Sequence, residues 1–215
     1  PSRTDLALAA AQCGLAAKAS LAPEDISLYI GIPFCPTRCA YCSFVSADVK
    51  RALKTVEPYL DALDREMAAA GDCLARAGSR VRTVYIGGGT PTTLSPQQLH
   101  RLMTRLENTV DLSHCTEYTV EAGRPDTITA EKLAVLRAHG VTRVSVNPQT
   151  MEDPVLALMG RRHTAADTLR AYDLARASGI PIINMDLIAG LPGDSPAGFR
   201  RTVDAVLALA PENST

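Results

Sequence analysis

The sequence lacks the features of a membrane protein or a nucleic-acid-binding protein. It contains no tryptophan, no uninterrupted apolar run long enough to span a bilayer, and no charged segment leading into an apolar one as in a secretory signal. The 22 Lys and Arg residues nearly balance the 23 Asp and Glu residues, and no basic stripe for phosphates stands out. The composition therefore predicts a cytoplasmic protein that binds neither a membrane nor nucleic acid.

The size and the ends of the chain bound its organisation. At 215 residues, 46% of them hydrophobic, the chain is long enough for one sizeable core. It begins at Pro1 rather than at a methionine, and residues 211–215 follow directly after a helical pattern. These ends are typical of a piece of a longer protein, so we expect a truncated domain.

Cysteine is scarce, yet three of the six cysteines stand together. Cys35, Cys39 and Cys42 have the spacing C-x3-C-x2-C in a loop after an apolar segment. Three thiolates can hold three irons of a [4Fe–4S] cluster and leave the fourth iron without a protein ligand. Structural zinc would need a fourth ligand, for which Cys13 or Cys73 would have to fold back. A disulfide would pair two of the three cysteines and leave the third unpaired. The remaining alternative to a cluster is that the three cysteines are buried side chains with no shared function. The crowding of three cysteines in one loop favours the cluster.

Elsewhere the chain alternates between two periodic patterns. Short β-branched runs occur at residues 27–32, 81–86, 117–121, 142–146 and 182–188. Amphipathic helical patterns occur at residues 58–73, 96–108, 130–138, 165–177 and 196–209. The alternation predicts parallel strands joined by helices, as an open doubly wound sheet or a (β/α) barrel, with the site at the carboxyl ends of the strands. We therefore predict two regions. Residues 1–26 form an N-terminal helical region with a helix over residues 5–19, and residues 27–215 form the core domain.

A glycine run marks one of these strand ends. Gly87, Gly88 and Gly89 follow the second strand and precede Thr90-Pro91-Thr92. Consecutive glycines allow the backbone to come close to another group and to bond it directly. A tight exit from the strand is the alternative reading. The position after a strand favours a ligand, although the run lacks the pattern of a phosphate-binding loop.

Taken together, these motifs resemble a known family. The run YIGIPFC at 29–35, the loop ending CAYC at 39–42, GGGTPT at 87–92, Glu121 and NMDLIAGLP at 184–192 are similar to the radical S-adenosylmethionine (SAM) enzymes. Within them the chain resembles the oxygen-independent coproporphyrinogen III oxidase family. The sequence motifs EAGRP at 121–125 and NPQTM at 147–151 are most similar to those of its HemZ-type coproporphyrinogen dehydrogenase branch.

The resemblance implies a fold and an activity. The fold is an α/β, partial (β/α) barrel of the radical SAM type with its C-terminal part missing, and the cofactors are a [4Fe–4S] cluster and one or two SAM molecules. The activity is the oxidative decarboxylation of coproporphyrinogen III to protoporphyrinogen IX in haem synthesis, begun by a 5′-deoxyadenosyl radical. The partners are the tetrapyrrole substrate and an electron donor such as flavodoxin or ferredoxin, and the protein is a monomer. The alternatives are a haem-binding chaperone of the same superfamily and another radical SAM enzyme acting on tetrapyrroles.

The resemblance also assigns roles to residues around the cluster. Cys35, Cys39 and Cys42 match the cluster ligands. Tyr41, before the last cysteine, matches a SAM contact, although it would also pack the loop. Residues that match contacts to the cluster-bound SAM are Tyr29, Gly88 and Glu121, of which Glu121 has helix capping as its alternative role.

A second set of residues matches contacts to a second SAM in the porphyrinogen-oxidising branch. The set is Gly89, Thr90, Gln149, Arg161 and Asp186. The planar guanidinium of Arg161 can donate two parallel hydrogen bonds to a carboxylate. The alternative is that Arg161 is an exposed surface residue with no role in binding. Gln149 and Asp186 stand at strand ends where a purely structural residue would more often be apolar.

Several residues depart from the family pattern or stand outside it. Phe44 occupies the position where some oxidases have a fourth cysteine, and Asn147-Pro148 replaces a glycine and an apolar residue before Gln149. The remaining cysteines and three of the four histidines are predicted to be structural: Cys13, Cys73 and Cys115 as buried thiols, and His100, His114 and His139 as helix or surface residues. His163 follows two arginines in a loop, so we expect it to face the site more readily than the other three histidines do.

Overall fold

The computed structural model describes residues 2–44, 47–50 and 52–215. The strands are β1 (Asp25–Ile32), β2 (Phe34–Cys35), β3 (Ala47–Asp48), β4 (Arg80–Gly88), β5 (Glu117–Glu121), β6 (Arg143–Ser145), β7 (Ile182–Met185) and β8 (Asn213–Ser214). The helices are α1 (Arg3–Ala19), α2 (Leu53–Ala77), α3 (Pro96–Thr109), α4 (Ala130–Ala138), α5 (Asp153–Leu158), α6 (Ala165–Ala177) and α7 (Pro196–Leu209). Two single 3-10 turns lie at Pro91–Thr93 and Pro125–Thr127.

The main sheet is parallel throughout the described residues. Its strand order is β1-β4-β5-β6-β7-β8, and β2 and β3 form a separate two-stranded sheet next to the cysteine loop. Because each strand of the main sheet is joined to the next by a helix, the order follows the chain and all the carboxyl ends lie along one edge. This arrangement confirms the predicted α/β fold of the partial-barrel type.

The predicted elements are confirmed in kind, and their boundaries are corrected. Helix α2 begins at Leu53 rather than at residue 58, so that Pro58 lies inside the helix. Strand β7 ends at Met185, three residues earlier than predicted, because the chain turns at its carboxyl end. The six-residue helix α5 was not predicted, since less than two turns carry no readable periodicity.

The two faces of the main sheet differ in chemistry. One row across the strands, Ile86, Val120, Val144 and Ile183, is at most 1% exposed and packs in the same core as helices α3, α4 and α6. The next row includes Tyr85, Thr119 and Arg143, which point to the opposite face. The opposite face therefore carries polar side chains at these positions.

Local sequence signals position the helices that follow the strands. Ser95 accepts a hydrogen bond from the Gln98 amide, and Gln98 Oε1 accepts one from the Ser95 amide, which forms a capping box at the start of α3. Thr164 and Asp167 form the same box at the start of α6. These caps fix where the loops above the sheet end.

Helix α1 contributes little to this core. None of its residues is buried, and Leu6, Leu8 and Leu15 are all more than half exposed. Among all the helices of the described residues, none combines the length and the apolar character needed to cross a membrane.

Candidate functional site

A cavity of about 170 Å³ lies at the carboxyl ends of the strands. Most of the residues singled out in the sequence line it: Cys35, Cys39, Tyr41, Cys42, Gly88, Gly89, Thr90, Glu121, Gln149, Arg161 and Asp186. Tyr29 is the exception, since it lines a neighbouring cavity of about 350 Å³ between β1 and α2. The fold thus gathers residues that are up to 151 positions apart in the chain, while their individual roles remain predictions.

The cysteine loop rests on the segment that follows α5. The Ala40 amide donates to the Met159 carbonyl at 3.1 Å, and the Thr37 hydroxyl donates to the Gly160 carbonyl at 3.0 Å. Gly160 has a φ of +74°, and a Cβ there would lie 3.1 Å from the Arg38 carbonyl. The loop is therefore fixed by backbone contacts with a distant part of the chain.

The thiols themselves are free and half-buried. Cys35, Cys39 and Cys42 form no disulfide, and the Cys35 sulfur lies 3.4 Å from the Thr90 hydroxyl. In the described part of the chain no three His, Cys, Asp or Glu side chains are gathered for a single metal ion. Cys13 and Cys73 are exposed and do not line the cavity, so neither supplies the fourth zinc ligand. Three free thiols on one loop, two of them within hydrogen-bond distance of a polar side chain, fit an iron–sulfur cluster.

The glycine run packs mainly against its own chain. A Cβ at Gly89 would lie 2.7 Å from the Phe34 carbonyl oxygen and 2.9 Å from that of Ile32. The amides of Gly89 and Thr90 donate to those same carbonyls at 2.8 and 2.7 Å. A tight strand exit therefore explains Gly89, whereas Gly88 lines the cavity with a φ of +104°, a backbone conformation that favours glycine.

Glu121 ends β5 and faces the cavity. Its Oε1 accepts a hydrogen bond from the Tyr85 hydroxyl at 2.6 Å, and the Tyr85 ring stacks on Tyr29 with centroids 5.9 Å apart. Burial raises the pKa of Glu121, and the hydrogen bonds from Tyr85 and the Gly88 backbone oppose that shift. Thr129, not Glu121, caps the following helix α4. The helix-cap alternative is therefore wrong, and the carboxylate is held in place by an aromatic pair.

Arg161 is buried, so it is not a solvated surface charge. It is 8% exposed, and its Nε donates to the Tyr41 hydroxyl at 3.0 Å. Its Nη1 donates to the carbonyls of Asn147 at 2.8 Å and Gly123 at 3.3 Å. Burial is the main cause that raises the pKa of Tyr41 to about 12, which keeps its hydroxyl protonated. Arg161 and Tyr41 together join the cysteine loop to the ends of β5 and β6.

Gln149 and Asp186 occupy a strained corner of the cavity. Gln149 has a φ of +68°, a left-handed conformation that costs a non-glycine residue about 1 kcal/mol or more. Its amide donates to the Asp186 carbonyl at 3.0 Å, and within the described residues its buried Oε1 has no hydrogen-bond partner. Asn147 Oδ1 accepts from the Asp186 amide at 3.3 Å. Asn147 thus braces the corner, which gives its departure from the family pattern a structural role.

Three residues of the site were not assigned a role from the sequence. Tyr85 positions Glu121, Arg124 contacts the cysteine loop, and His163 lies close enough to Arg161 and Arg124 for their charges to lower its pKa. Tyr85 has no distinguishing signal, since it reads as an ordinary strand residue. Arg124 stands within the phrase EAGRP at a strand end, which could have identified it.

His163 is buried in a positively charged environment. It is 3% exposed, and neither ring nitrogen has a hydrogen-bond partner among the described residues. Burial, then Arg161 and Arg124, lower its pKa to about 4, while Asp126 at 3.9 Å and the Pro148 backbone oppose them weakly. The imidazole is therefore neutral at physiological pH.

We expect the neutral His163 to make the fold sensitive to acid. Because the folded pKa lies below the usual value of 6.5, only the unfolded state binds the proton between these two pH values. The free energy of unfolding should therefore fall by about 2 kcal/mol from pH 7 to pH 5 through this group alone. Urea unfolding of the parent protein and of His163→Gln at both pH values measures the difference. An equal loss of stability in the two proteins would show that His163 is not the cause.

The prediction that the other cysteines are buried needs correction. Cys13 and Cys73 are exposed rather than buried, because the surfaces of α1 and α2 that carry them face solvent, and Cys115 is half-buried. The histidines agree with the prediction of helix or surface residues: the ring nitrogens of His100 and His139 lie 2.8 Å apart, and His139 Nδ1 lies 2.7 Å from Glu107. This group joins α3 to the end of α4, away from the cavity.

Comparison with known proteins defines the class. Residues 29–206 match the radical SAM superfamily, and the chain belongs to that superfamily. It is 43% identical over 193 residues to the oxygen-independent coproporphyrinogen-III oxidase-like protein HemZ of Bacillus subtilis, covering 89% of this chain and 38% of that protein. It is 38% identical over 189 residues to the heme chaperone HemW of the same organism, covering 87% and 48% respectively.

A solved structure gives the same class. Coproporphyrinogen III oxidase (HemN) from Escherichia coli, described as a radical SAM enzyme, matches with a TM-score of 0.80 and 32% identity over 94% of this chain and 47% of that one. The chain therefore spans less than half the length of these relatives. Membership of the superfamily implies a [4Fe–4S] cluster and SAM, which agrees with the free thiols of the loop.

Proposed function

We propose that this chain forms the cofactor-binding part of an enzyme that decarboxylates coproporphyrinogen III oxidatively to protoporphyrinogen IX without oxygen. The observation that carries the proposal is the 43% identity to HemZ, together with the phrases EAGRP and NPQTM that stand at the cavity. The location would be cytoplasmic, with haem synthesis as the purpose. A small electron-transfer protein such as flavodoxin or ferredoxin would supply electrons to a monomeric enzyme.

Each part of the cavity has a task in this proposal. Cys35, Cys39 and Cys42 would hold the cluster, and Glu121 would accept hydrogen bonds from the polar groups of SAM. When bound, the cluster and SAM supply one-electron chemistry that removes a hydrogen atom from the substrate. Arg161 and Tyr41 hold the loop over the strand ends, which keeps the thiols in place.

The second-SAM set is largely engaged within the chain. The amides of Gly89 and Thr90 bond Ile32 and Phe34, and Arg161 bonds Tyr41 and two carbonyls. Within the described residues, Gln149 is the member of this set with a buried side-chain polar atom that has no hydrogen-bond partner. The proposal therefore requires one SAM, bound near Glu121, and does not include a second.

The substrate would need more room than this cavity offers. Pockets for drug-sized ligands usually hold about 300 Å³ or more, whereas this one holds about 170 Å³. Because the chain spans 38% to 48% of its relatives, we infer that further residues of a longer protein complete the tetrapyrrole site.

A haem chaperone is the second candidate function. The chain is 38% identical to HemW, and Phe44 replaces the fourth cysteine found in some oxidases. The Phe44 ring is 63% exposed at the cavity and offers an apolar contact for a flat macrocycle. Stable haem binding without turnover would favour this candidate.

The test is an anaerobic assay of the longest available form of the protein after cluster reconstitution. SAM, a strong reductant and coproporphyrinogen III are added, and mass spectrometry follows decarboxylated tetrapyrrole and 5′-deoxyadenosine. The proposal predicts both products, and neither with Cys39→Ser. Formation of 5′-deoxyadenosine without decarboxylation would contradict the substrate and leave the superfamily assignment in place.

A further inference from the structure

Within the described residues, Arg124 is the arginine whose side chain contacts a cysteine of the loop. It follows β5 by three residues and is 3% exposed. Its Nη1 lies 3.6 Å from the Cys39 sulfur, within the range for a hydrogen bond to sulfur. The resemblance to known families assigned it no role.

The side chain is fixed by several bonds to one residue of the loop. Arg124 Nη1 donates to the Thr37 carbonyl at 3.3 Å, and Nη2 donates to the Thr37 hydroxyl at 3.0 Å. That hydroxyl in turn donates to the Gly160 carbonyl at 3.0 Å. Because a guanidinium is planar and presents its donors in a rigid fork, these contacts leave it one orientation, with Nη1 towards the sulfur.

The charge of Arg124 is only partly compensated. In the part of the chain that the structure describes, its acidic contact is Asp126, whose Oδ1 lies 3.3 Å from Nε and whose side chain is 25% exposed. A buried charge is costly unless it is paired, so the guanidinium favours a negatively charged neighbour on the side of Nη1. A cysteine thiolate that ligates iron is such a neighbour.

Arg161 provides a contrast within the same cavity. It is buried to a similar degree, but its donors reach the Tyr41 hydroxyl and two carbonyls rather than a sulfur. The two arginines therefore hold the loop at different points: Arg161 reaches Cys39 through the Tyr41 hydroxyl, whereas Arg124 donates to the Cys39 sulfur directly.

We propose that Arg124 is a positioning residue that fixes the Cys39 thiolate and raises the reduction potential of the cluster bound there. Hydrogen bonds to the sulfurs, nearby net charge and solvent exposure set the potentials of iron–sulfur clusters. A donated hydrogen bond and a buried positive charge both stabilise the reduced cluster, which carries one more electron. The inference rests on the cofactor of the superfamily and not on the substrate, so it holds for an enzyme and for a chaperone.

The measurement is a redox titration of the reconstituted protein, followed by the EPR signal of the reduced cluster. For Arg124→Gln we expect full iron content and a reduction equilibrium at least tenfold less favourable, which for a one-electron couple is about 59 mV more negative. Arg124→Lys keeps the charge but loses the fork and should give a smaller shift in the same direction. Thr37→Val, which frees the guanidinium, should also lower the potential.

The matched control is Arg162→Gln. Arg162 carries the same charge in the nearby loop but is exposed, so solvent screens it and the potential should stay at the parental value. A parental potential in Arg124→Gln, or an equal shift in Arg162→Gln, would overturn the proposal. If Arg124→Gln does not retain its cluster, Arg124→Lys decides: a lowered potential supports the proposal, and a parental one contradicts it. A parent protein that binds no cluster at all would instead refute the cofactor assignment.

Discussion

Replacement of Cys39 by serine is expected to abolish binding of the [4Fe–4S] cluster. The loop offers three thiols, and three is the number that an open-iron cluster needs, so the loss of one leaves an incomplete ligand set. Cys39 is also the thiol that Arg124 contacts at 3.6 Å, and a hydroxyl is a poor replacement for a thiolate at iron. Iron and sulfide content and the visible absorption of the reconstituted variant measure the effect.

The matched control for this experiment is Cys73→Ser. Cys73 is exposed on α2 and does not line the cavity, so its replacement should leave the iron content unchanged. A complete four-iron spectrum in Cys39→Ser would show that ligands come from elsewhere in the protein. A loss of the cluster in Cys73→Ser would indicate that the Cys73 thiol is one of the metal ligands.

Replacement of Glu121 by alanine is expected to weaken SAM binding by about tenfold to a hundredfold. A hydrogen bond to a charged group contributes about 1.5–3 kcal/mol, and the carboxylate is placed at the cavity by Tyr85 at 2.6 Å. The iron content should stay at the parental value, because Glu121 makes no contact with the cysteine loop in the described structure. Equilibrium binding of SAM to the reconstituted variant measures the change.

Two variants separate the role of Glu121 from a general disturbance of β5. Glu117→Ala removes a carboxylate at the other end of the same strand, where it pairs with Arg143, and should leave SAM affinity unchanged. Glu121→Gln retains an acceptor for the Tyr85 hydroxyl but loses the charge, so its affinity should lie between those of the parent and Glu121→Ala. Parental SAM affinity in Glu121→Ala would remove Glu121 from the binding site.

The sequence was sufficient to predict the parts of the fold that depend on local pattern. The parallel sheet follows from β-branched runs that alternate with capped helices, and the cysteine loop follows from its spacing. The boundaries were less accurate, since Pro58 suggested a helix start and instead lies within α2. A proline is usually found at a helix start, but the packing of α2 outweighs the one backbone bond that it removes.

The site could be predicted only where a residue carries its own signal. Arg124 bonds Cys39 across 85 positions, and the charge of Arg124 also acts on His163, which lies in the loop between α5 and α6. Such contacts depend on how strand ends and loops meet, which no local pattern contains. The same limit applies to Gly89, which the sequence suggested as a ligand contact and which the structure packs against Phe34.

Low-temperature EPR of the reconstituted, reduced protein before and after addition of SAM tests most directly whether the loop holds a cluster with an open iron. We expect the signal of a reduced [4Fe–4S] cluster that changes when SAM is added, because SAM binds at the iron that has no protein ligand. A four-iron signal that SAM leaves unchanged would contradict an open iron next to Glu121. The absence of any four-iron signal, with the cysteine loop intact, would contradict the central claim that Cys35, Cys39 and Cys42 hold the cluster.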